Sequence, residues 1–67
     1  MITINLNGAA RELAPGATLS DLLASMGLAG KRVAIERNGA IVPRSLHGET
    51  RLAPGDVVEI VSAVGGG

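Results

Sequence analysis

The feature that most constrains the fold is one short amphipathic helix in a chain otherwise rich in strand and turn signals. Its apolar residues are spaced at i, i+3, i+4 and i+7 and therefore share one face: Leu19, Leu22, Leu23 and Met26. Thr18 is placed to cap the helix, with Asp21 at the third helical position, and Gly27 supplies the left-handed residue that ends it. A helix of about eight or nine residues does not persist alone, so its apolar face must be buried against a sheet.

Two strands are predicted before the helix. Residues 2–7 alternate apolar and polar side chains, which is typical of a strand with one buried face. Asn7-Gly8 is a strong hairpin signal, because both residues tolerate positive φ. The return strand, about 9–14, ends at Pro15-Gly16, a pair that fits the centre of a type II turn.

Three more strands are predicted after the helix. Residues 33–37 form the third, Asn38-Gly39 a second hairpin turn, and residues 40–42 the fourth, which stops at Pro43. Residues 44–51 are mostly polar and predict a surface connection with one short helical turn, in which His47 is a solvated surface residue. Pro54-Gly55 repeats the turn chemistry of Pro15-Gly16, and a last strand runs from residue 57 to about 64.

The order strand, strand, helix, strand, strand, strand predicts an α+β fold of the β-grasp (ubiquitin-like) type. In this fold a mixed sheet packs against one main helix, and the first and last strands lie side by side in its middle. The last strand has apolar residues of both parities, Val58 and Ile60 on one face and Val57 and Val61 on the other. The second pair is interpreted either as an exposed docking face or as a strand partly covered by its neighbours.

Composition excludes several classes of function. Six basic and six acidic residues balance, and there is no Phe, Tyr or Trp, which argues against a nucleic-acid binder. Without cysteine there is neither a disulfide nor a thiolate metal site, and His47 is the single histidine, so no metal site is expected. No apolar run approaches the length of about 20 residues that spans a membrane, and the start of the chain lacks a signal peptide's charged region. A soluble cytoplasmic protein is expected.

The glycines that follow the last strand are the clearest functional signal. Val64-Gly65-Gly66-Gly67 has no turn or cap to explain it, and ordering glycine costs more backbone entropy than ordering any other residue. A thin tail ending in a free carboxylate could enter a narrow channel and be activated there as an acyl donor. The alternative is a frayed terminus. We therefore divide the chain into one domain, 1–63, and a flexible glycine tail, 64–67.

Four segments together resemble the sulfur carrier family of thiamine biosynthesis: VAIERNG at 33–39, IVPR at 41–44, GDVVEIV at 55–61 and AVGGG at 63–67. The resemblance covers the whole chain. It implies that an activating enzyme of the E1-like adenylyltransferase type uses ATP with Mg to adenylate Gly67, after which a persulfide donor such as a cysteine desulfurase leaves a thiocarboxylate there. Thiazole synthase would receive the sulfur, and Gly65 and Gly66 would thread into the partner active sites.

The resemblance also implies that this chain is a protein cosubstrate and not an enzyme, and that it binds no cofactor itself. Arg44, Glu36 and Arg37 are then interpreted as solvated surface residues. Two alternatives stay open. The small subunit of molybdopterin synthase would use the same carrier chemistry in another pathway, and a non-carrier β-grasp interaction module would dock through its sheet without using the tail.

Overall fold

A computed structural model describes residues 1–62, so Gly65, Gly66 and Gly67 and the predicted boundary after residue 63 lie outside the described residues. The elements, in chain order, are β1 (Ile2–Leu6), β2 (Ala9–Leu13), α1 (Leu19–Ser25), β3 (Val33–Arg37), β4 (Ala40–Ile41), a 3-10 turn (Arg44–Leu46) and β5 (Val57–Ser62). The predicted order is confirmed. β2 and β4 each end one residue earlier than predicted, and α1 has seven residues.

The five strands form one mixed sheet in the order β2-β1-β5-β3-β4. β1 and β5 are parallel neighbours at its centre, whereas β2 pairs with β1, and β3 with both β5 and β4, in antiparallel fashion. One helix and this strand order together confirm the predicted β-grasp fold. The pairing of β1 with β5 therefore links the first strand of the chain directly to the last strand described.

Both hairpins have the turn chemistry that the sequence predicts. Asn7 and Gly8 have φ of 50° and 87°, and Asn38 and Gly39 have φ of 52° and 86°. Positive φ at both central residues is the type I′ turn, whose twist matches that of the flanking strands. The register of β1 with β2 and of β3 with β4 is therefore set locally.

The two ends of α1 are capped as predicted. Thr18 Oγ1 accepts a hydrogen bond from the Asp21 N–H at 3.1 Å, and the Asp21 carboxylate accepts one from the Thr18 N–H at 2.9 Å. At the other end Gly27, with φ of 73°, lets the Leu28 N–H reach the Leu23 carbonyl at 2.8 Å. These are a capping box and a Schellman motif, which satisfy backbone groups that a short helix leaves unpaired.

The core lies between α1 and one face of the sheet. Its buried side chains come from β1, β2, α1, β3 and β5 and from the loop before β5: Ile4, Leu6, Leu13, Leu19, Leu22, Leu23, Ile35, Leu52, Val58 and Ile60. Met26 and Leu28 pack against this cluster from the end of the helix. The helix thus buries the face that its spacing predicted.

The prediction that His47 is a solvated surface residue is wrong, because its exposed fraction is 5%. The 3-10 turn folds the connection back onto the start of α1, where the Ser20 N–H donates to the His47 carbonyl and the Leu19 N–H to the Thr50 carbonyl. The ring Nε2–H of His47 in turn donates to the Val42 carbonyl at 3.1 Å. The loop is therefore a second cap for the helix, which supplies acceptors for its first two N–H groups.

Candidate functional site

β5 is the strand that precedes the glycine tail, so the contacts that fix β5 determine where on the domain the tail begins. The strand is the middle one of the sheet and has hydrogen-bonded neighbours on both sides, β1 and β3. Ser62, the last described residue, pairs with Val33, the first residue of β3. Gly65, Gly66 and Gly67 thus follow a chain segment that has reached one end of the sheet, although their own placement is outside the described residues.

The start of β5 is fixed by the buried carboxylate of Asp56. Its Oδ2 accepts hydrogen bonds from the Ala53 N–H and from Arg37 Nε, each at 2.9 Å, and its Oδ1 accepts one from Asn38 Nδ2 at 3.1 Å. Asn38 continues the network to Val57, whose N–H donates to Asn38 Oδ1 at 2.9 Å and whose carbonyl accepts from the Asn38 N–H at 2.7 Å. One carboxylate thereby ties the Pro-Gly turn to the second hairpin.

The prediction that Arg37 is a solvated surface residue is wrong, since it forms an ion pair with Asp56 at 2.9 Å and only 31% of its side chain is exposed. Burial alone would raise the pKa of Asp56. Hydrogen bonds from Ala53, Asn38 and Arg37, with the positive charge of Arg37, outweigh burial and hold the pKa of Asp56 below its usual value. Asp56 therefore stays ionised and keeps its three acceptor contacts.

Asn7 anchors the middle of β5, a role that sequence reasoning missed. Its side-chain Oδ1 accepts a hydrogen bond from the Ile60 N–H at 2.9 Å, and its Nδ2 donates to the Ile60 carbonyl at 3.3 Å. Its backbone N–H donates to the Val58 carbonyl at 2.9 Å. The Asn7 side chain therefore extends the pairing of β1 with β5 past the end of β1. The sequence did not predict this contact, because the turn preference of Asn7 already accounts for the residue and its partner is 53 residues away in sequence.

The outward face of β5 carries the residues that the sequence singled out for docking. Val57 is 46% and Val61 62% exposed, whereas Val58 and Ile60, with the opposite parity, are buried in the core. The pair is therefore exposed but still partly covered by its neighbours, which fits both interpretations of this face. Beside Val57 lies an open cleft of ≈ 470 Å³, lined also by Asn5, Asn7, Gly8 and Glu59. Docking at this face stays a prediction.

Glu36 lies on the same outward face, on β3, and is half-buried, whereas Arg44 is exposed in the 3-10 turn as predicted. Among residues 1–62, no group of three or more His, Cys, Asp or Glu side chains is placed to hold a metal ion. No helix in that part of the chain is long and apolar enough to cross a membrane. Among the described residues, the site is therefore a surface of valine and glutamate side chains on β5, a strand that is hydrogen-bonded on both sides.

Comparison with known proteins places this geometry in a family. The model of the ThiS family matches residues 4–67 of the chain. A sulfur carrier protein ThiS of Bacillus subtilis is 48% identical over 50 residues, which cover 75% of this chain and 76% of that protein. A thiazole synthase of Magnetococcus marinus is 42% identical over 64 residues, which cover 96% of this chain. The chain spans only about a fifth of that longer protein, 20% of its length.

A solved structure shows the same fold. The crystal structure of a thiamine biosynthesis protein (ThiS) from Geobacter metallireducens matches with a TM-score of 0.82 and 28% sequence identity. The match covers 98% of this chain and 100% of that chain. The family model, the Bacillus subtilis relative and the solved structure thus agree on one family, and the solved structure shows its fold.

Proposed function

On the premise that this chain belongs to the ThiS family, we propose that it is a sulfur carrier of thiamine biosynthesis. The observation that carries the proposal is the extent of the family match, which runs from residue 4 through the three glycines to residue 67. A match of fold alone would not support this function, because one fold can host many functions. The similarity to a named sulfur carrier of Bacillus subtilis supports the same proposal.

The reactive group in this proposal is the carboxylate of Gly67. A carboxylate is a poor electrophile until one of its oxygens becomes part of a leaving group. An E1-like adenylyltransferase would supply that group: the carboxylate attacks the α-phosphorus of ATP, held with Mg, and pyrophosphate leaves. The terminal sulfur of a persulfide, formed by a cysteine desulfurase or similar donor, then attacks the acyl carbon and AMP leaves. A thiol then attacks the donor's sulfur and forms a disulfide with it, which breaks the sulfur–sulfur bond and leaves one sulfur atom on Gly67 as a thiocarboxylate.

The folded part of the chain would serve recognition, with the chain as a cosubstrate of its partner enzymes. Val57 and Val61 would dock while Gly65 and Gly66 thread into the partner active site. A fully extended run of four residues, 64–67, spans at most about 13–14 Å. Ordering each residue costs about 1–2 kcal/mol of backbone entropy. That cost weakens the complex, which suits a carrier that must leave one enzyme for the next. The absence of cysteine also removes an internal nucleophile that would attack the activated terminus.

Thiazole synthase is the proposed acceptor of the sulfur. The support is that a segment similar to 96% of this chain occurs within a longer protein named thiazole synthase in Magnetococcus marinus. A carrier-like segment and a synthase that share one polypeptide meet at high effective concentration. Where the two are separate proteins, the same encounter would require a docking surface such as the outward face of β5.

Deletion of Gly66 and Gly67 tests the proposal. The shortened chain should keep its far-UV circular dichroism spectrum and its urea midpoint, because the core lies within residues 1–62, and it should support no thiazole formation. The assay combines thiazole synthase of the same organism, the activating enzyme, ATP and a persulfide donor. Normal thiazole formation by the shortened chain would contradict the carrier function and favour an interaction module. Transfer to a molybdopterin synthase large subunit, with none to thiazole synthase, would contradict the thiamine pathway.

A further inference from the structure

Two carboxylates face each other at the centre of the outward sheet face. The antiparallel register of β3 and β5 places Glu36 directly opposite Glu59. Side chains directly opposite in such a pair have Cβ atoms about 4.5–5.5 Å apart. Both residues have outward parity, because their strand neighbours Ile35 and Ile60 are buried on the helix side. The two carboxylates therefore point to the same side of the sheet.

All charged residues at outward positions of the strands are acidic. They are Glu12 on β2, Glu36 on β3 and Glu59 on β5, as the registers across the sheet show. The basic residues of the strands, Arg11 and Arg37, have the opposite parity and hydrogen-bond to Ser25 and Asp56. The chain has no net charge, yet the charged strand residues on this face are all negative.

This arrangement does not help the chain to fold. Like charges directly opposite each other in a sheet destabilise it. Within the described part of the chain, the ion pair is Arg37–Asp56, and no cation there neutralises Glu36 or Glu59. A cation supplied from outside would relieve the repulsion and gain contacts with two acceptors at once.

Apolar side chains flank the two carboxylates along β5 and on β4, whereas Asn5 and Asn7 lie on the β1 side. Val57 and Val61 stand two residues to either side of Glu59 on β5. Ile41 lies opposite Glu36 on β4 and is 66% exposed. We call these five residues, Glu36, Ile41, Val57, Glu59 and Val61, the acidic patch. An acidic centre flanked by apolar side chains complements a basic protein surface that carries apolar residues, whereas it repels the phosphates of nucleic acids and anionic lipids.

We propose that the acidic patch docks a partner protein that places an arginine or lysine side chain between Glu36 and Glu59, with apolar contacts to the flanking valines and Ile41. Arginine fits best, because its planar guanidinium carries five donors that can serve two carboxylates. The proposal deepens the proposed function and rests on it for the identity of the partners. The patch would supply recognition and electrostatic steering, while the tail supplies the chemistry.

The test measures binding of the chain to thiazole synthase of the same organism by isothermal titration calorimetry at low and high NaCl. The double variant Glu36→Gln/Glu59→Gln removes both charges and keeps the side-chain shapes. We expect its Kd at low salt to be at least about tenfold higher than that of the wild type, with a smaller difference at high salt. The matched control Glu12→Gln removes one outward charge two strands away from β5 and should change Kd less than about twofold.

A second variant separates docking from folding. Glu36→Lys places opposite charges across the β3–β5 pair, so its urea midpoint should equal or exceed that of the wild type. Its affinity for the partner should nevertheless fall below that of the double variant. Unchanged binding by the double variant would overturn the proposal, as would an equal loss in Glu12→Gln.

The same samples distinguish this proposal from the proposed function. If wild type supports thiazole formation while the double variant binds as tightly as wild type, the patch proposal fails and the carrier function stands. If wild type binds through the patch but never acquires sulfur with competent enzymes, the carrier function fails and the patch stands. A wild type that binds neither thiazole synthase nor the activating enzyme would overturn both.

Discussion

Replacing Asp56 by alanine should remove about 3 kcal/mol from the free energy of unfolding. The buried carboxylate accepts three hydrogen bonds, at 2.9, 2.9 and 3.1 Å. A hydrogen bond to a charged group contributes about 1.5–3 kcal/mol net, but three bonds to one carboxylate are not additive. Arg37 is about one third exposed, 31%, so solvent weakens its interaction with Asp56, and the contribution of this hydrogen bond lies at the lower end of that range. A core of this size rarely supplies more than about 3–5 kcal/mol, so the loss would take most of the stability.

Urea unfolding followed by far-UV circular dichroism measures the effect, since the chain has no Trp or Tyr for intrinsic fluorescence. With a slope of about 1 kcal/mol per molar urea, the midpoint should fall by about 3 M. Glu12→Ala is the matched control: it removes an exposed carboxylate with no ion-pair partner among residues 1–62. A solvated surface residue of this kind should change stability by no more than about 0.5 kcal/mol.

The pH dependence tests the electrostatic part of this reasoning. The pKa of Asp56 is lowered in the folded chain, whereas in the unfolded chain it is about 3.9. The unfolded state therefore binds the proton more readily, and the contribution of Asp56 is complete above the unfolded pKa and is lost as pH falls through the folded pKa. Consequently the stability difference between wild type and Asp56→Asn should be largest near pH 7 and should shrink steadily below about pH 4.

The result that refutes this reasoning is an Asp56→Ala chain that unfolds within about 0.5 kcal/mol of wild type, like the surface control. A difference between wild type and Asp56→Asn that stays constant from pH 7 down past the folded pKa would show that ionisation contributes nothing. The first outcome would remove Asp56 as the anchor of β5, and the second would remove the electrostatic part of its contribution.

Two further predictions concern the other anchors of the sheet and helix. Asn7→Gly keeps the positive φ but loses both hydrogen bonds to Ile60, so we expect a loss of about 1–2 kcal/mol and faster hydrogen exchange of the Ile60 amide; unchanged Ile60 protection would contradict this. Thr18→Ala should cost about 1 kcal/mol by urea unfolding. Its combination with Asp21→Ala should cost less than the sum, because the two side chains form one capping box; full additivity would argue against the box.

The parts of the fold that were predicted correctly depend on neighbours in sequence. The Asn38-Gly39 turn follows from the positive φ that both residues tolerate, and the Thr18 cap from a partner three residues away. Parity alone separates Val58 and Ile60 from Val57 and Val61, and the structure buries the first pair. Such features require no knowledge of where distant segments lie.

The parts that were missed depend on contacts between distant segments. His47 is polar and lies in a polar stretch, and only the folding of its loop onto the start of α1 buries it. Arg37 and Asp56 meet across 19 residues, and Asn7 and Ile60 across 53. Neither hydropathy nor turn preference carries information about such partners. The acidic patch also required the register, since the sequence alone does not set Glu36 opposite Glu59.

The most direct test of the carrier function is the intact mass of the chain after incubation with ATP, Mg, the activating enzyme and a persulfide donor. We predict a mass increase equal to the exchange of one oxygen for one sulfur, with fragmentation placing the change on Gly67. A chain extended by one residue past Gly67 should show no such change under the same conditions. An unchanged mass of the wild-type chain, with enzymes that convert a known carrier, would contradict the account.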